Sequence, residues 1–203
     1  MSDLTVEEIL IKSGNIGSVR VGQMLEIEGL KSFLKKIGIL DKIDFDIEEV
    51  GEPIPFKWGK CKLATVSFGH GITTTPLQLA RAYAIISNGG FEIKPTLIKN
   101  DLVKNKKNKR IIKENVSKKI NLILRKTATT KEGTAEFANI EGYEDSGKTG
   151  TAQKTTYGGY SKAKVNTFVA IFPTSKPKYT LVVLLDEPKT SPDYIYKYRN
   201  KKG

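Results

Sequence analysis

The chain has 203 residues, enough for one large domain or two small ones, and its 38% hydrophobic and 28% charged residues are the balance of a globular chain. A single cysteine, Cys61, excludes an internal disulfide framework and a multi-cysteine zinc site, and a single histidine, His70, argues against an all-protein metal centre. The net charge is +12, from 34 basic and 22 acidic residues, with lysine supplying 29 of the basic ones. Its densest run is Lys104, Lys106, Lys107, Lys109 and Arg110. No aromatic lies within that run to stack a base and no nucleic-acid motif accompanies it, so it reads as a solvated loop and no nucleic-acid partner is expected. No stretch reaches the ~18 apolar residues of a membrane span, and no charged-then-apolar leader is visible at the start.

In chain order, Thr5 and Glu8 form a capping box ahead of Val6, Ile9 and Leu10, which predicts a helix that delivers Ser13, Gly14 and Asn15 at its end. A second helix is predicted from about Ile16 to Met24. A third holds Leu30, Phe33, Leu34 and Ile37 and stops at Gly38. Residues 39–62, with acidic positions, Pro53, Pro55 and Trp58, read as irregular. Thr75 followed by Pro76 opens a helix with Leu77, Ala80, Ala84 and Ile85 on one face, closed by Gly89-Gly90. Phe91 to Ile98 reads as a strand, with Pro95 marking an edge. Val116, Ile120, Ile123 and Leu124 give a further amphipathic helix. From Gly142 on, Thr, Val, Phe and Tyr predominate, and strands are predicted at Lys148–Thr156, Thr167–Phe172 and Tyr179–Leu185. The Pro173–Lys178 turn should make the last two a hairpin. Helices first and an antiparallel sheet late predict an α+β fold.

Residues Gly142–Thr149 admit two readings. As G-x-x-x-x-G-K-T, with Asp186-Glu187 closing an apolar run, they match a phosphate-binding loop and the acidic strand end that holds Mg²⁺. Such a loop must leave a buried strand and open a helix. Phe137–Glu141 is no buried strand, and the Thr- and Gly-rich residues after Thr149 do not start a helix, so an NTPase remains a remote alternative. The other reading is Lys148-Thr149-Gly150-Thr151 on an edge strand. K-T-G with an S-x-N-type element is a signature of penicillin-binding proteins and class A β-lactamases, and Ser13-Gly14-Asn15 supplies that element in the right order.

Further segments join at this point. Ser67–Ile72, Thr75–Tyr83 and Asn88–Gly90 closely resemble the stretch between the second and third motifs of class B penicillin-binding proteins. Lys131-Glu132-Gly133-Thr134-Ala135 and Gly147–Ala152 look like the same family, nearest its division-specific branch, which builds septal peptidoglycan. The resemblance covers roughly residues 4–190. His70 stands where that family usually carries Tyr, and no catalytic role is assigned to it.

The family's nucleophile is the Ser of S-x-x-K, roughly fifty residues before S-x-N, and here that position precedes Met1. Ser32, Ser161 and Ser175 each begin a bare S-x-x-K, as chance allows with 29 lysines. All three follow S-x-N, against the family's order. Residues 1–203 are therefore expected to be the C-terminal portion of a transpeptidase domain, incomplete at both ends, with a β-lactamase/transpeptidase-like antiparallel sheet flanked by helices.

The resemblance implies acyl transfer on D-Ala-D-Ala stem peptides. Ser13, Asn15 and Lys148 would be the catalytic residues, Thr149, Gly150 and Thr151 would bind substrate, and the nucleophile would lie outside this chain. No cofactor or metal is implied. The implied partners are peptidoglycan stem peptides, β-lactam antibiotics and, for the full-length protein, divisome membrane proteins at the periplasmic face of the bacterial inner membrane. Without the nucleophile, the chain is alternatively a catalytically dead fragment or a structural module. The two motifs also predict that Ser13 Oγ and Lys148 Nζ meet at ~3 Å.

Overall fold

The structure is a computed structural model that describes residues 3–48, 50–99, 109–156 and 159–189. Its elements are α1 (Val6–Ile11), α2 (Asn15–Lys36), α3 (Lys60–Ser67), α4 (Pro76–Ser87), α5 (Glu114–Thr129), a 3-10 turn at Glu136–Ala138, and strands β1 (Ser146–Thr156), β2 (Gly159–Phe172) and β3 (Tyr179–Asp186). Both helix starts read from capping residues are present. The Thr5 hydroxyl accepts from the Glu8 N–H while Glu8 reaches back to Thr5, and Thr75 and Gln78 repeat the arrangement ahead of α4.

The two helices expected between residues 16 and 37 form one run broken at Glu26, where φ 58° and ψ 178° leave helical space. Gly38 and Gly89-Gly90 follow their helices with positive φ, as expected of stops. Helix α3 was not foreseen. It is short, and only Leu63 and Val66, three residues apart, are buried, too little periodicity for the sequence to reveal.

The strand expected at Phe91–Ile98 does not form. Phe91 makes one isolated bridge with Arg110. Next to it the Glu92 N–H donates to the Lys109 carbonyl at 2.8 Å, but further along polar groups turn elsewhere: the Ile93 carbonyl accepts from Arg81 Nε at 2.8 Å, and the Thr96 hydroxyl meets Asp46 at 2.7 Å. Pro95 offers no N–H to a ladder, and among the described residues the pairing goes no further than residues 90–92 with 109–112. Of the lysine-rich run, Lys104, Lys106 and Lys107 lie outside the described residues, while Arg110 stacks over the Phe91 ring at 4.2 Å.

The sheet runs β1-β2-β3, antiparallel throughout, with Lys148 opposite Val169 and Val169 opposite Val182. Consecutive pairing of the last three strands follows the expectation, but β2 starts at Gly159, eight residues earlier than expected at Thr167. The polar, lysine-bearing stretch at its start pairs with the far end of β1 in an exposed hairpin, so it lacks the apolar signal of the buried end. Ser161, which precedes the strand expected from Thr167, lies in that stretch. Val169, Ala170 and Ile171 are buried at the other end of β2. Because Lys148 and Thr149 lie inside a strand rather than at a helix start, the NTPase reading has no structural support.

Helix α5 packs on β1 and presents Ile123, Leu124, Thr127 and Ala128 to the interior. A second core joins Ile37, Ile39, Ala82 and Ile85, and a third joins Leu30, Leu63 and Val66. Each such aliphatic side chain stabilises the fold by ~1.5–3 kcal/mol relative to exposure. Fully buried Gln78 ties α4 to the chain after α2 by donating to the Asp41 carbonyl at 2.8 Å. Among the described residues no helix is long and apolar enough to cross a membrane.

Candidate active site

Two elements distant in sequence build the site. On one side, α1 ends at Lys12 and the chain turns through Ser13 with φ 55°. The Gly14 N–H donates to the Ile9 carbonyl at 2.8 Å and the Ser13 N–H to the Leu10 carbonyl at 3.4 Å. These two bonds satisfy the last carbonyls of α1 and place Ser13 at the left-handed position such an ending requires, which glycine ordinarily fills. A serine here carries backbone strain, and strained side chains cluster at functional sites. Asn15 then opens α2, and both Ser13 and Asn15 are exposed.

This strain makes a measurable prediction. Ser13→Gly and Ser13→Ala both delete the hydroxyl, but only alanine keeps a Cβ at positive φ. The glycine variant should be the more stable of the two by about 1 kcal/mol in urea unfolding. Equal midpoints would mean that the turn relaxes out of the left-handed conformation.

On the other side, β1 carries Lys148 between two anchored neighbours. At Gly147 a Cβ would lie 2.6 Å from the Phe168 ring and 2.7 Å from the Val169 carbonyl, so only glycine lets β1 close on β2 there. The hydroxyl of Thr127, fully buried on α5, donates to the Gly147 carbonyl. Beyond Lys148, the Thr149 hydroxyl meets that of Thr134 at 2.8 Å. Lys148 is thus fixed from both sides.

Lys148 Nζ donates to Ser13 Oγ at 2.7 Å and to the Thr149 carbonyl at 3.0 Å, in line with the distance the motifs predicted. An ammonium has three donors and no acceptor, so one N–H remains for a ligand. For the same reason Ser13, by accepting from Lys148, turns its own proton away from it. Burial holds the Lys148 amine below the ordinary lysine range.

Two ion pairs fasten the Ser13 turn to the α5 side: Lys12 with Glu132 at 2.9 Å and Glu7 with Lys126 at 2.5 Å. Both are largely exposed and each contributes little alone. Gly150 is exposed, and a Cβ there would meet nothing nearer than the Thr167 carbonyl at 3.8 Å, so open space lies beside it. Thr151 pairs with Asn166 and is exposed. The His70 ring stands 5.1 Å from Phe68 and 6.2 Å from Tyr160, with its Nδ1 buried and without a hydrogen-bond partner. Asp186 and Glu187, the acidic pair of the discarded Mg²⁺ reading, both bind Lys154 at 2.8 Å. Among the described residues no cluster of His, Cys, Asp and Glu could hold a metal.

Sequence reasoning gave Thr127 no mention and quoted Thr134 without a role. The tight Gly133-Thr134 turn just after a helix was the available signal, but the partner of each hydroxyl lies on β1 and is fixed only by the fold.

The family described as the penicillin-binding protein transpeptidase domain matches residues 1–202. A peptidoglycan D,D-transpeptidase FtsI homolog of Mesostigma viride is 32% identical, over 92% of this chain and 36% of that protein. The probable peptidoglycan D,D-transpeptidase PenA of Neisseria flavescens is also 32% identical, over 94% of this chain and 48% of its own length. The apo transpeptidase domain of Burkholderia pseudomallei penicillin-binding protein 3 superposes with a TM-score of 0.85 at 27% identity, covering 91% of this chain and 57% of that one. The chain thus spans about a third to a half of these curated relatives. A lysine and a strained serine brought together from opposite ends of the sequence, on a fold shared with a solved transpeptidase domain, agree with the family match: the chain belongs to the penicillin-binding protein transpeptidase family.

Proposed function

We propose that this chain supplies the proton-relay and carboxylate-binding half of a serine acyl-transfer centre that cross-links peptidoglycan. The observation that carries the reading is the 2.7 Å contact of Lys148 with Ser13 across 135 residues of sequence. In this reading a serine hydroxyl attacks the penultimate carbonyl of a D-Ala-D-Ala stem peptide. The C–N bond breaks, an ester forms, and D-Ala leaves as its amine takes up a proton. The amine of a neighbouring stem then attacks the ester, forms the new peptide bond and releases the serine.

Ser13, accepting from Lys148, has its proton free for the leaving amine. Asn15 orients the stem's amide and carbonyl groups. Lys148 and the hydroxyls of Thr149 and Thr151 attract the terminal carboxylate. The Thr151 N–H is one oxyanion donor. Gly150 lets an extended peptide lie against the open edge of β1, consistent with the free space beside it. β-Lactams, which imitate D-Ala-D-Ala, would acylate the same serine, as the family's description suggests.

The nucleophile in this reading comes from a segment outside residues 1–203. Ser32 is exposed on α2, Ser161 lies at the start of β2, and Ser175 is held in the β2–β3 turn by the Glu144 carboxylate, so none sits at the Ser13–Lys148 contact. Septal synthesis at the periplasmic face of the inner membrane, together with divisome membrane proteins, is the setting that the resemblance to the division-specific branch suggests.

Fluorescent penicillin labelling tests the proposal. Residues 1–203 alone should take no covalent label. The chain joined to its preceding coding segment should be labelled at an S-x-x-K serine in that segment. Label mapped by mass spectrometry to Ser32, Ser161 or Ser175 would overturn the assignment, and an unlabelled longer chain would favour a structural module.

A further inference from the structure

We infer that Thr134 is a positioning residue for carboxylate recognition: its hydroxyl donates a hydrogen bond to the Thr149 oxygen, so that Thr149 can donate its own to the ligand. This inference rests on the function proposed above and adds to it a residue with no role so far.

The turn that holds Thr134 is fixed on both sides. The Gly133 N–H donates to the Thr130 carbonyl at 2.9 Å and the Ala135 N–H to the Thr127 carbonyl at 3.0 Å. A Cβ on Gly133 would stand 2.1 Å from the Thr127 carbonyl oxygen, so the turn lies flat against the end of α5. Ala135 is buried, and Glu132 is tied to Lys12 beside Ser13. Thr134 itself is exposed, with its hydroxyl 2.8 Å from that of Thr149. Its backbone is thus set in advance and its side chain reaches Thr149 on β1.

The proton count makes this contact functional. Each hydroxyl has one proton to give and lone pairs to accept with. While Thr149 donates to Thr134, it has nothing to offer a carboxylate, which accepts only. When a carboxylate arrives, the pair can reverse: Thr134 donates to Thr149, and Thr149 donates to the carboxylate. The heavy atoms need not move, because a 2.8 Å separation serves either direction. A hydroxyl that is itself receiving a hydrogen bond is the stronger donor, so the chain of two binds the anion better than Thr149 alone.

The test uses the full-length protein and two ligands, benzylpenicillin and its methyl ester, which lacks the carboxylate. Thr134→Val keeps the branched shape and removes the donor. It should lower the second-order acylation rate constant for benzylpenicillin ~10-fold, the size of one hydrogen bond to a charged group. For the methyl ester the change should stay within ~2-fold, and Thr134→Ser should restore the benzylpenicillin rate. An equal loss with both ligands would mean that Thr134 only supports the turn, and no loss with benzylpenicillin would mean that Thr149 needs no help; either overturns the inference. Lys148→Ala separates this failure from that of the parent reading. If Lys148→Ala acylates slowly while Thr134→Val treats both ligands alike, only the present inference falls. If Lys148→Ala acylates at full rate, the carboxylate site itself is misassigned and both fall.

Discussion

Replacing Lys148 by alanine in the full-length protein should lower acylation by penicillin ~10²-fold or more, the loss typical of removing one preorganised electrostatic contact. Lys148 sits at the junction of three functions. It orients the Ser13 hydroxyl at 2.7 Å, it bonds the Thr149 carbonyl of its own strand at 3.0 Å, and it has one N–H left for the ligand. Alanine removes all three, and the strand is not expected to bring another cation to the same place, because Gly147 and Thr149 are both anchored. Stopped-flow acylation checks the number. A full rate in this variant would remove the role given to the K-T-G strand.

The same lysine sets a pH dependence of stability whose sign can be worked out. Its folded-state pKa lies below the ordinary value of 10.5, because burial disfavours the charged form. Between the lowered value and 10.5 the unfolded chain therefore binds more protons than the folded one, and stability rises with pH across that window. The penalty is fully present below the window. Alanine has no such group, so wild type should gain stability relative to Lys148→Ala as pH climbs toward 10.5.

Gly133→Ala should be the most damaging small substitution in this region, with a loss of ~2–3 kcal/mol and a fall in melting temperature of ~5–10 °C. Its Cβ would meet the Thr127 carbonyl oxygen at 2.1 Å and the carbonyl carbon at 2.6 Å, both of them backbone atoms that cannot rotate aside. To make room, the turn must lift from α5, which breaks the Ala135–Thr127 bond and carries Thr134 away from Thr149. Thermal unfolding followed by circular dichroism measures the loss. A melting temperature within ~1 °C of wild type would show that the turn is not clamped as described.

Local chemistry made part of this molecule legible in advance. Thr5 with Glu8 caps a helix through contacts three residues apart, Thr75 followed by Pro76 opens another, and the Pro173–Lys178 turn joins neighbours in sequence, so short windows were enough to find them. The S-x-N and K-T-G-T residues were legible in a different way, through a family resemblance rather than through periodicity, and the resemblance also pointed to their meeting.

What the sequence did not carry depends on partners far along the chain. Phe91–Ile98 has suitable residues, but among the described residues its pairing stops after a single bridge, and the start of β2 looks polar because its hairpin is exposed. The hydroxyls of Thr127 and Thr134 gain their purpose only when α5 and the turn after it lie against β1. Strain at Ser13 comes from the way α1 ends, and the lowered pKa of Lys148 comes from burial. By itself the sequence determined the caps and turns made by near neighbours and, through its family resemblance, nominated Ser13, Asn15 and Lys148 as candidates. Tertiary structure alone decided that the hydroxyls of Thr127 and Thr134 reach β1 and that Lys148 is partly buried, because distance and desolvation are set by elements that meet only after folding.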